Sequence, residues 1–343
     1  SVQDLIITPE HVKRKLKALK TSSAPGPDGI HPRVLHECRE ELCYPLSQIF
    51  QLSLESGVLP EEWKQTNVTP IFKKGKRNDP SNYRPINLAS VPSKIMESLI
   101  KDRIMEHLTT HNLICNSQHG FMPNRSCMTN LLQYFNQVTL ALDAGHSYDT
   151  IMLDYRKAFD RIPFRHMLAK IERHGICGRV LEWIKDWTKG RKQRVVLNGE
   201  VSDWADVTSS VVQGCMLGPI LFTIFINDLD DFIDERLNVL LSKFADDTKL
   251  GKCINNTEDC EKLQCALDEL VNWSKTWGME LHPEKCITIH FGHKNPNYIY
   301  KIEGIVINAV TQARDLGVLI SNDLSSTNHI NFFFSCSIQF IHS

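Results

Sequence analysis

Two adjacent carboxylates, Asp246 and Asp247, follow Phe244 and Ala245 at the end of an apolar stretch. Neighbouring like charges repel, and burying either one demands a strong counter-charge, which a divalent cation supplies. Hard Mg²⁺ takes a few carboxylates, with water and substrate phosphates completing its shell. Side chains alternate along a regular strand, so the pair cannot aim alike; the expectation is that Asp246 is the direct ligand and Asp247 the weaker or shared one. An Asp-Asp pair alone occurs in many turns. It gains meaning beside Asp154, a third carboxylate that ends the apolar run Ile151-Met152-Leu153. If these strands are neighbours, three carboxylates converge as a site for two metals about 3.5–4 Å apart, the arrangement used for phosphoryl transfer. Cations for a phosphate substrate lie upstream, in Lys73, Lys74, Lys76 and Arg77 around Gly75 and in Arg84. The first four sit on a Gly-containing turn that could close over phosphates or equally be a solvated hairpin tip.

These groups need elements to hold them. Residues 10–20 read as an amphipathic helix, with Val12, Leu16 and Leu19 inside and five cations outside, ended by the turn formers of 21–29. Residues 34–56 and 93–108 also read as helices, the second with a core stripe through Ile95, Met96, Leu99, Ile100, Ile104 and Leu108. Val68 to Phe72 reads as a short strand, Pro163 as a helix start, and 219–228 as an apolar helix after a glycine-punctuated loop. Residues 239–241 and 244–250 read as the two strands of a tight hairpin, and 258–277 as a helix. Strand, helix, hairpin, helix is the order of an α/β or α+β layer rather than of a bundle.

The 343 residues are 42% hydrophobic and 23% charged, which argues against disorder, collagen or a coiled coil. The longest apolar stretch, Pro219–Ile226, is far below the roughly 20 residues that cross a bilayer, so no membrane partner is expected. No secretory leader is seen at the first residues, and the lack of an initiator Met suggests a piece of something longer. Eleven cysteines show no C-x-x-C pair or zinc spacing and read as reduced thiols of an intracellular, non-secreted protein, nuclear or cytoplasmic. The net charge of −1 hides an asymmetry: 29 Lys and Arg against 20 Asp and Glu up to residue 195, then 10 against 20. A basic half beside an acidic one suits a polyanion cradle next to a cation site, though two solvated surfaces would look the same.

Read together, several motifs resemble the reverse transcriptase domain of a non-LTR (LINE-type, jockey-like) retrotransposon. They run in order from Ser23-Ala24-Pro25-Gly26-Pro27-Asp28-Gly29-Ile30, through Ile71–Lys76, Asn82–Ile86 and Ser117-Gln118-His119-Gly120-Phe121, to Leu153-Asp154-Tyr155-Arg156-Lys157-Ala158-Phe159-Asp160. Gln213–Pro219 with Ile226–Leu229, then Phe244–Asp247, Pro283–Cys286 and Leu316-Gly317-Val318 complete the series. The resemblance implies a right-hand polymerase fold of α/β (α+β) class, with an antiparallel palm sheet backed by helices. Residues 1–147 would be mainly fingers, 148–324 mainly palm, and 325–343 an irregular tail where the thumb is missing or truncated. No upstream endonuclease or RNase H segment is visible.

The implied activity is RNA-directed DNA synthesis on an RNA template, extending a DNA primer with dNTPs. Two Mg²⁺ ions, with Mn²⁺ as a substitute, would sit on Asp154, Asp246 and Asp247. The same resemblance makes Lys285 a proton donor to pyrophosphate and assigns Lys73, Lys74, Arg84, Tyr155, Phe159, Gln213 and Gly214 to the nucleotide. Phe159 would exclude a 2′-hydroxyl, the group that distinguishes ribose from deoxyribose. Leu316, Gly317 and Val318 would hold the primer end, and Arg191–Arg194 would meet phosphates or form an exposed hairpin. Val212 and Cys215 depart from the family's usual Pro and Ser, and Met122–Arg125 from a more basic loop. The different-class alternative is a catalytically inactive remnant that only binds nucleic acid. A maturase-like or telomerase-like polymerase shares the palm chemistry but fits the wording of 24–29 and 82–85 less well.

Overall fold

A computed structural model describes residues 2, 4–73, 75–207 and 214–331. Lys74, Val212, Gln213 and the Phe332–Phe334 run lie outside the described residues. The chain divides into two compact units, each assembled from two segments: Ser1–Ile114 with Phe159–Phe225, and Cys115–Ala158 with Ile226–Ser343. These units interleave along the chain; the expected fingers, palm and tail have boundaries after residues 147 and 324. Elements are numbered along the whole chain.

In the first unit, α1 (Pro9–Lys17) starts at the Thr8 cap, whose hydroxyl accepts from the His11 N–H, and buries Val12 and Leu16. Two of its outer lysines are engaged in ion pairs, Lys13 with Glu40 at 2.6 Å and Lys15 with Asp102 at 2.5 Å. The helix expected over 34–56 is two helices, α2 (Pro32–Glu37) and α3 (Arg39–Ser56). Cys38 between them has ψ 24°, outside the helical well, and the Arg39 guanidinium donates to the His36 carbonyl at 3.0 Å, satisfying the end of α2. Strand β1 (Gln65–Phe72) pairs antiparallel with β2 (Tyr83–Ala89) and parallel with β4 (Lys192–Leu197); β5 (Glu200–Val201) and β6 (Ala205–Asp206) extend β4. The long helix α4 (Val91–Thr110) is buried along the expected stripe. Helices α6 (Phe164–Arg173), with Pro163 at its cap, α7 (Gly178–Trp187) and α8 (Gly218–Phe225) complete the unit. Their anchor is Glu97 of α4, fully buried, which accepts from Trp187 Nε1 at 3.1 Å and from the Met216 N–H at 2.7 Å. It thereby ties the loop before α8 to α4.

In the second unit, β3 (Ser147–Leu153) is the centre of a sheet ordered β12 (Asn308–Ala309), β9 (Ile287–Phe291), β3, β8 (Asp247–Ile254), β7 (Leu240–Phe244). Every pairing is antiparallel except β12 with β9. Helix α5 (Cys127–Asp143), which the pattern reading passes over, lays Tyr134, Val138 and Ala141 against Tyr148, Ile289 and Phe291 of the sheet. Helix α10 (Thr257–Trp277) packs on β8. With helices over the sheet, β3 is buried nearly throughout, and its second half, Ile151–Leu153, reads as a continuous apolar run. Its one internal carboxylate, Asp149, is fully buried and accepts from the Tyr300 hydroxyl at 2.6 Å, His290 Nδ1 at 2.7 Å and the Asn295 amide at 2.7 Å. Short α9 (Leu229–Phe232) and the hairpins β10 (Lys301–Ile302) with β11 (Ile305–Val306) and β13 (Gln312–Asp315) with β14 (Val318–Ser321) finish the unit. Of the tail from 325, residues 325–331 are described, and the His329 ring accepts from the Leu319 N–H at 3.1 Å.

Among the described residues every cysteine is a free thiol, and no helix is long and apolar enough to cross a membrane. Removing a buried acceptor strands its donors. Glu97→Ala and Asp149→Ala are each expected to destabilise the fold by about 3 kcal/mol, read from the urea midpoint at constant m. A surface control, Glu182→Ala, stays within about 0.5 kcal/mol.

Candidate active site

The acidic centre lies in the second unit, at one end of the β3–β8–β7 sheet. Asp154 is the residue after β3, and its position is stitched to the segment before β9. The Asp154 carbonyl accepts from the His282 N–H at 2.8 Å, the Arg156 N–H donates to the Glu280 carbonyl at 2.8 Å, and Tyr155 bridges Leu281. Its own N–H points at Cys286 Sγ, 3.4 Å away. The Asp154 carboxylate is half-exposed, and Lys285 Nζ lies 3.9 Å from it.

Asp246 and Asp247 are placed differently from the expectation. The hairpin turns three residues later than the expected strands 239–241 and 244–250 imply: Phe244 pairs with Asp247, so the two-residue turn is Ala245-Asp246. Asp246 therefore sits on the turn and Asp247 opens β8; the pair differs in aim because one residue is in a turn, not by strand alternation. Ala245 takes φ +58°, the positive first position that tight hairpins of this kind require. Desolvation first, then the Asp154 charge, pushes the Asp246 carboxyl above its ordinary range. Asp247 is pushed up to about 6, by desolvation first and then by Asp246, Asp315 and Asp154, with Lys249 opposing. The three acids thus share one electrostatic neighbourhood.

Among the described residues no group of three or more His, Cys, Asp or Glu side chains is arranged to hold a metal ion. The donors present are nonetheless all hard carboxylate oxygens whose mutual repulsion is under-compensated. That chemistry fits a divalent cation whose shell is completed by water and substrate phosphate rather than by protein alone.

Hairpin β13–β14 joins the same unit. Leu316 (φ +45°) and Gly317 (φ +91°) are its two turn residues, with Asp315 opposite Val318. Buried Lys249 of β8 forms an ion pair with Asp315 and donates to Asn130 Oδ1 of α5 at 2.9 Å. Sequence reading passes over Lys249, Asp315 and Asn130; the only signal was a Lys two residues beyond the Asp pair.

The other expected nucleotide residues, apart from Tyr155, are in the first unit. Arg84 and Lys73 are exposed, on β2 and just after β1, and the Lys73 N–H donates to the Asn82 carbonyl at 2.8 Å, folding the basic loop back. Phe159 is half-buried and stacked on Phe222 of α8, with ring centroids 4.2 Å apart. Gly214 (φ +97°) lies so close to β2 that a Cβ would come within 2.9 Å of the Asn87 carbonyl oxygen. Tyr155, in the second unit, is buried, so its ring packs inside.

Two expectations change. Cys215 is buried, its sulfur accepting from the Gly218 N–H at 3.2 Å at the start of α8, and burial pushes its thiol up to about 12. The departure from Ser thus keeps a helix-start acceptor and faces inward. Arg191 is not a surface cation: it is 2% exposed, lies 4.7 Å from the Trp187 ring centroid, and leaves Lys192 and Arg194 as the outer charges of that cluster. Arg194 lies over Trp204 at 4.5 Å and donates to Asn67 at 2.9 Å.

Comparison with known proteins agrees with this architecture. The chain is 26% identical over 339 residues to the probable RNA-directed DNA polymerase from transposon BS of Drosophila melanogaster, covering 94% of this chain and 36% of that protein. It is 27% identical to the RNA-directed DNA polymerase from mobile element jockey of the same organism and 28% identical to that of Drosophila funebris, with the same coverages. The chain therefore spans about a third of the length of these curated relatives. Apo telomerase from Candida tropicalis, truncated from its C-terminal domain, superposes with a TM-score of 0.54 at 14% identity, covering 82% of this chain and 58% of that one. That likeness establishes the fold, the right-hand polymerase fold. The family profile described as reverse transcriptase (RNA-dependent DNA polymerase) matches residues 71–320, and the chain belongs to that family.

Proposed function

We propose that this chain is the polymerase core of a non-LTR retrotransposon protein and copies RNA into DNA, adding dNTPs to a primer 3′-hydroxyl inside the cell. What supports the reading is that Asp154 directly follows β3, at the same sheet end as the β7–β8 turn bearing Asp246 and Asp247, within a chain of this family. Asp154, Asp246 and Asp247 would hold two Mg²⁺ ions, or Mn²⁺ in their place, which activate the attacking hydroxyl and neutralise the leaving pyrophosphate.

The remaining roles belong to the chain itself. Asp246, on the turn and half-buried, is the firmer ligand; Asp247, more exposed, is the shared one. Lys285, beside Asp154, donates a proton to the leaving pyrophosphate. Arg84, Lys73 and Lys74 bind the triphosphate, Arg84 through its planar fork of donors. Gly214 and Gln213 shape the pocket for base and template, and Tyr155 supports Asp154 from the interior. Phe159, stiffened by Phe222, blocks a 2′-hydroxyl. Leu316, Gly317 and Val318 hold the primer end. Duplex binding rests on phosphate contacts and weakens steeply with salt.

Primer extension on an RNA template with Mg²⁺ and dNTPs tests the reading. Asp246→Asn is expected to lower incorporation at least about 1,000-fold while template–primer affinity changes little. Equal activity in that variant overturns it, and strong salt-dependent binding without incorporation by the wild type identifies a binding-only remnant. Phe159→Ala should narrow the preference for dNTP over rNTP by at least roughly tenfold, read as the ratio of kcat/KM values. An unchanged ratio removes Phe159 from sugar selection.

A further inference from the structure

The turn that carries Asp246 contains a backbone conformation which L-residues avoid. Ala245 holds φ +58°, where its Cβ crowds the following carbonyl. Such a conformation persists only where surrounding contacts over-determine it. Here the contact comes from outside the hairpin. The Ala245 N–H donates to Gln118 Oε1 at 3.0 Å, and the same oxygen accepts from the Gly120 N–H at 2.8 Å. Gln118 is fully buried, and its amide nitrogen has no hydrogen-bond partner. Both neighbours are donors, so only the oxygen can face them. Everything this amide does by hydrogen bonding is therefore done through one atom.

The segment bearing Gln118 is itself immobilised. The Lys243 N–H donates to the Ser117 carbonyl, and the His119 N–H donates to the Lys243 carbonyl, both at 2.8 Å, so Gln118 lies in register beside β7. The His119 ring is held between Thr129 Oγ1 at 2.8 Å and Gln133 Oε1 at 2.7 Å of α5. Arg125 Nη1 reaches the carbonyls of Asn116 at 2.7 Å and Gln118 at 2.6 Å. Gly120 then approaches the turn so closely that a Cβ would lie 2.3 Å from the Ala245 nitrogen.

We propose that Gln118 is a positioning residue for nucleotidyl transfer: its side-chain oxygen clamps Ala245 and so fixes where Asp246 points relative to Asp154. The proposal rests on the polymerase reading above, and it deepens that reading by assigning a role to the Ser117–Gly120 segment. Without this oxygen, two buried N–H groups lose their acceptor and the turn is free to relax toward ordinary backbone angles.

The test compares the full chain with Gln118→Met, which keeps length and apolar stem but has no acceptor, Gln118→Glu, which keeps the oxygen, and Gly120→Ala. Amide hydrogen exchange at Ala245 and Gly120 should quicken roughly 10- to 100-fold in Gln118→Met and stay near wild type in Gln118→Glu. Single-nucleotide incorporation in Gln118→Met and Gly120→Ala should lose roughly 10- to 100-fold in kcat, with KM for dNTP and template–primer Kd within about twofold. Gln118→Glu should recover most of kcat. Unchanged exchange in Gln118→Met overturns the clamp. So does a loss confined to thermal stability, or one shared equally by Gln118→Met and Gln118→Glu in folded proteins. Should the wild type incorporate nothing, the polymerase reading fails, while the exchange measurement still decides whether Gln118 holds the turn.

Discussion

Like charges forced together in a partly desolvated place are the constraint around which the second unit is organised. Asp154 makes Asp246 harder to ionise, and Asp246, Asp315 and Asp154 together do the same to Asp247, beyond what desolvation does to each. A protein keeps such a group only by anchoring the backbone beneath it or by gathering cations near it. This one does both. Residues 154–156 are tied to 280–282 by main-chain hydrogen bonds, and buried Lys249 stands between Asp315 and Asn130. A second buried lysine of the hairpin, Lys243, pairs with Asp230, and a third, Lys252, donates to the Leu237 carbonyl, so neither faces the acidic turn. The deficit left over is what a divalent ion with a phosphate ligand would fill.

Positively charged residues divide by depth in a way that composition does not show. Arg191 and Lys170 of the basic half are interior, one against Trp187 and the other donating to the Phe225 carbonyl. Lys13 and Lys15 are held by carboxylates. The cations left facing outward include Lys73, Arg84 and Lys192. An excess of basic residues along a sequence is therefore partly a packing device, and only part of it describes a surface for polyanions.

Much of this architecture was readable beforehand, for identifiable reasons. The stripe through Ile95, Leu99 and Leu108 and the caps around 257–277 declare their helices, since period and termini agree. The apolar run into Asp154 declares a central strand. What escaped depended on tertiary context. The split at Cys38 has no local breaker, because neither Gly nor Pro stands there. The hairpin turn was displaced because Ala245 is a poor turn residue by propensity, and Gln118, far away in sequence, is what holds it there. Arg191 looked like surface because its burial depends on Trp187 and on the neighbourhood of Glu97. Of the site, the acids and the basic loop were visible as residue types. The lysine–carboxylate supports were not, because a buried Lys looks like any other in one dimension.

The sheet's wiring also sets a timetable for the nascent polypeptide. The middle strand, Ser147–Leu153, has as its flanking partners segments that begin at Asp247 and Ile287. At ribosomal speeds of about 5–20 residues per second, that strand waits on the order of 5 to 30 seconds with both edges open. During this interval it is a sticky ribbon of Ile, Met and Leu, prone to pairing with another unfinished copy. Yield from a cell should then depend on elongation rate and on chaperone supply more than on the final strength of the packed sheet.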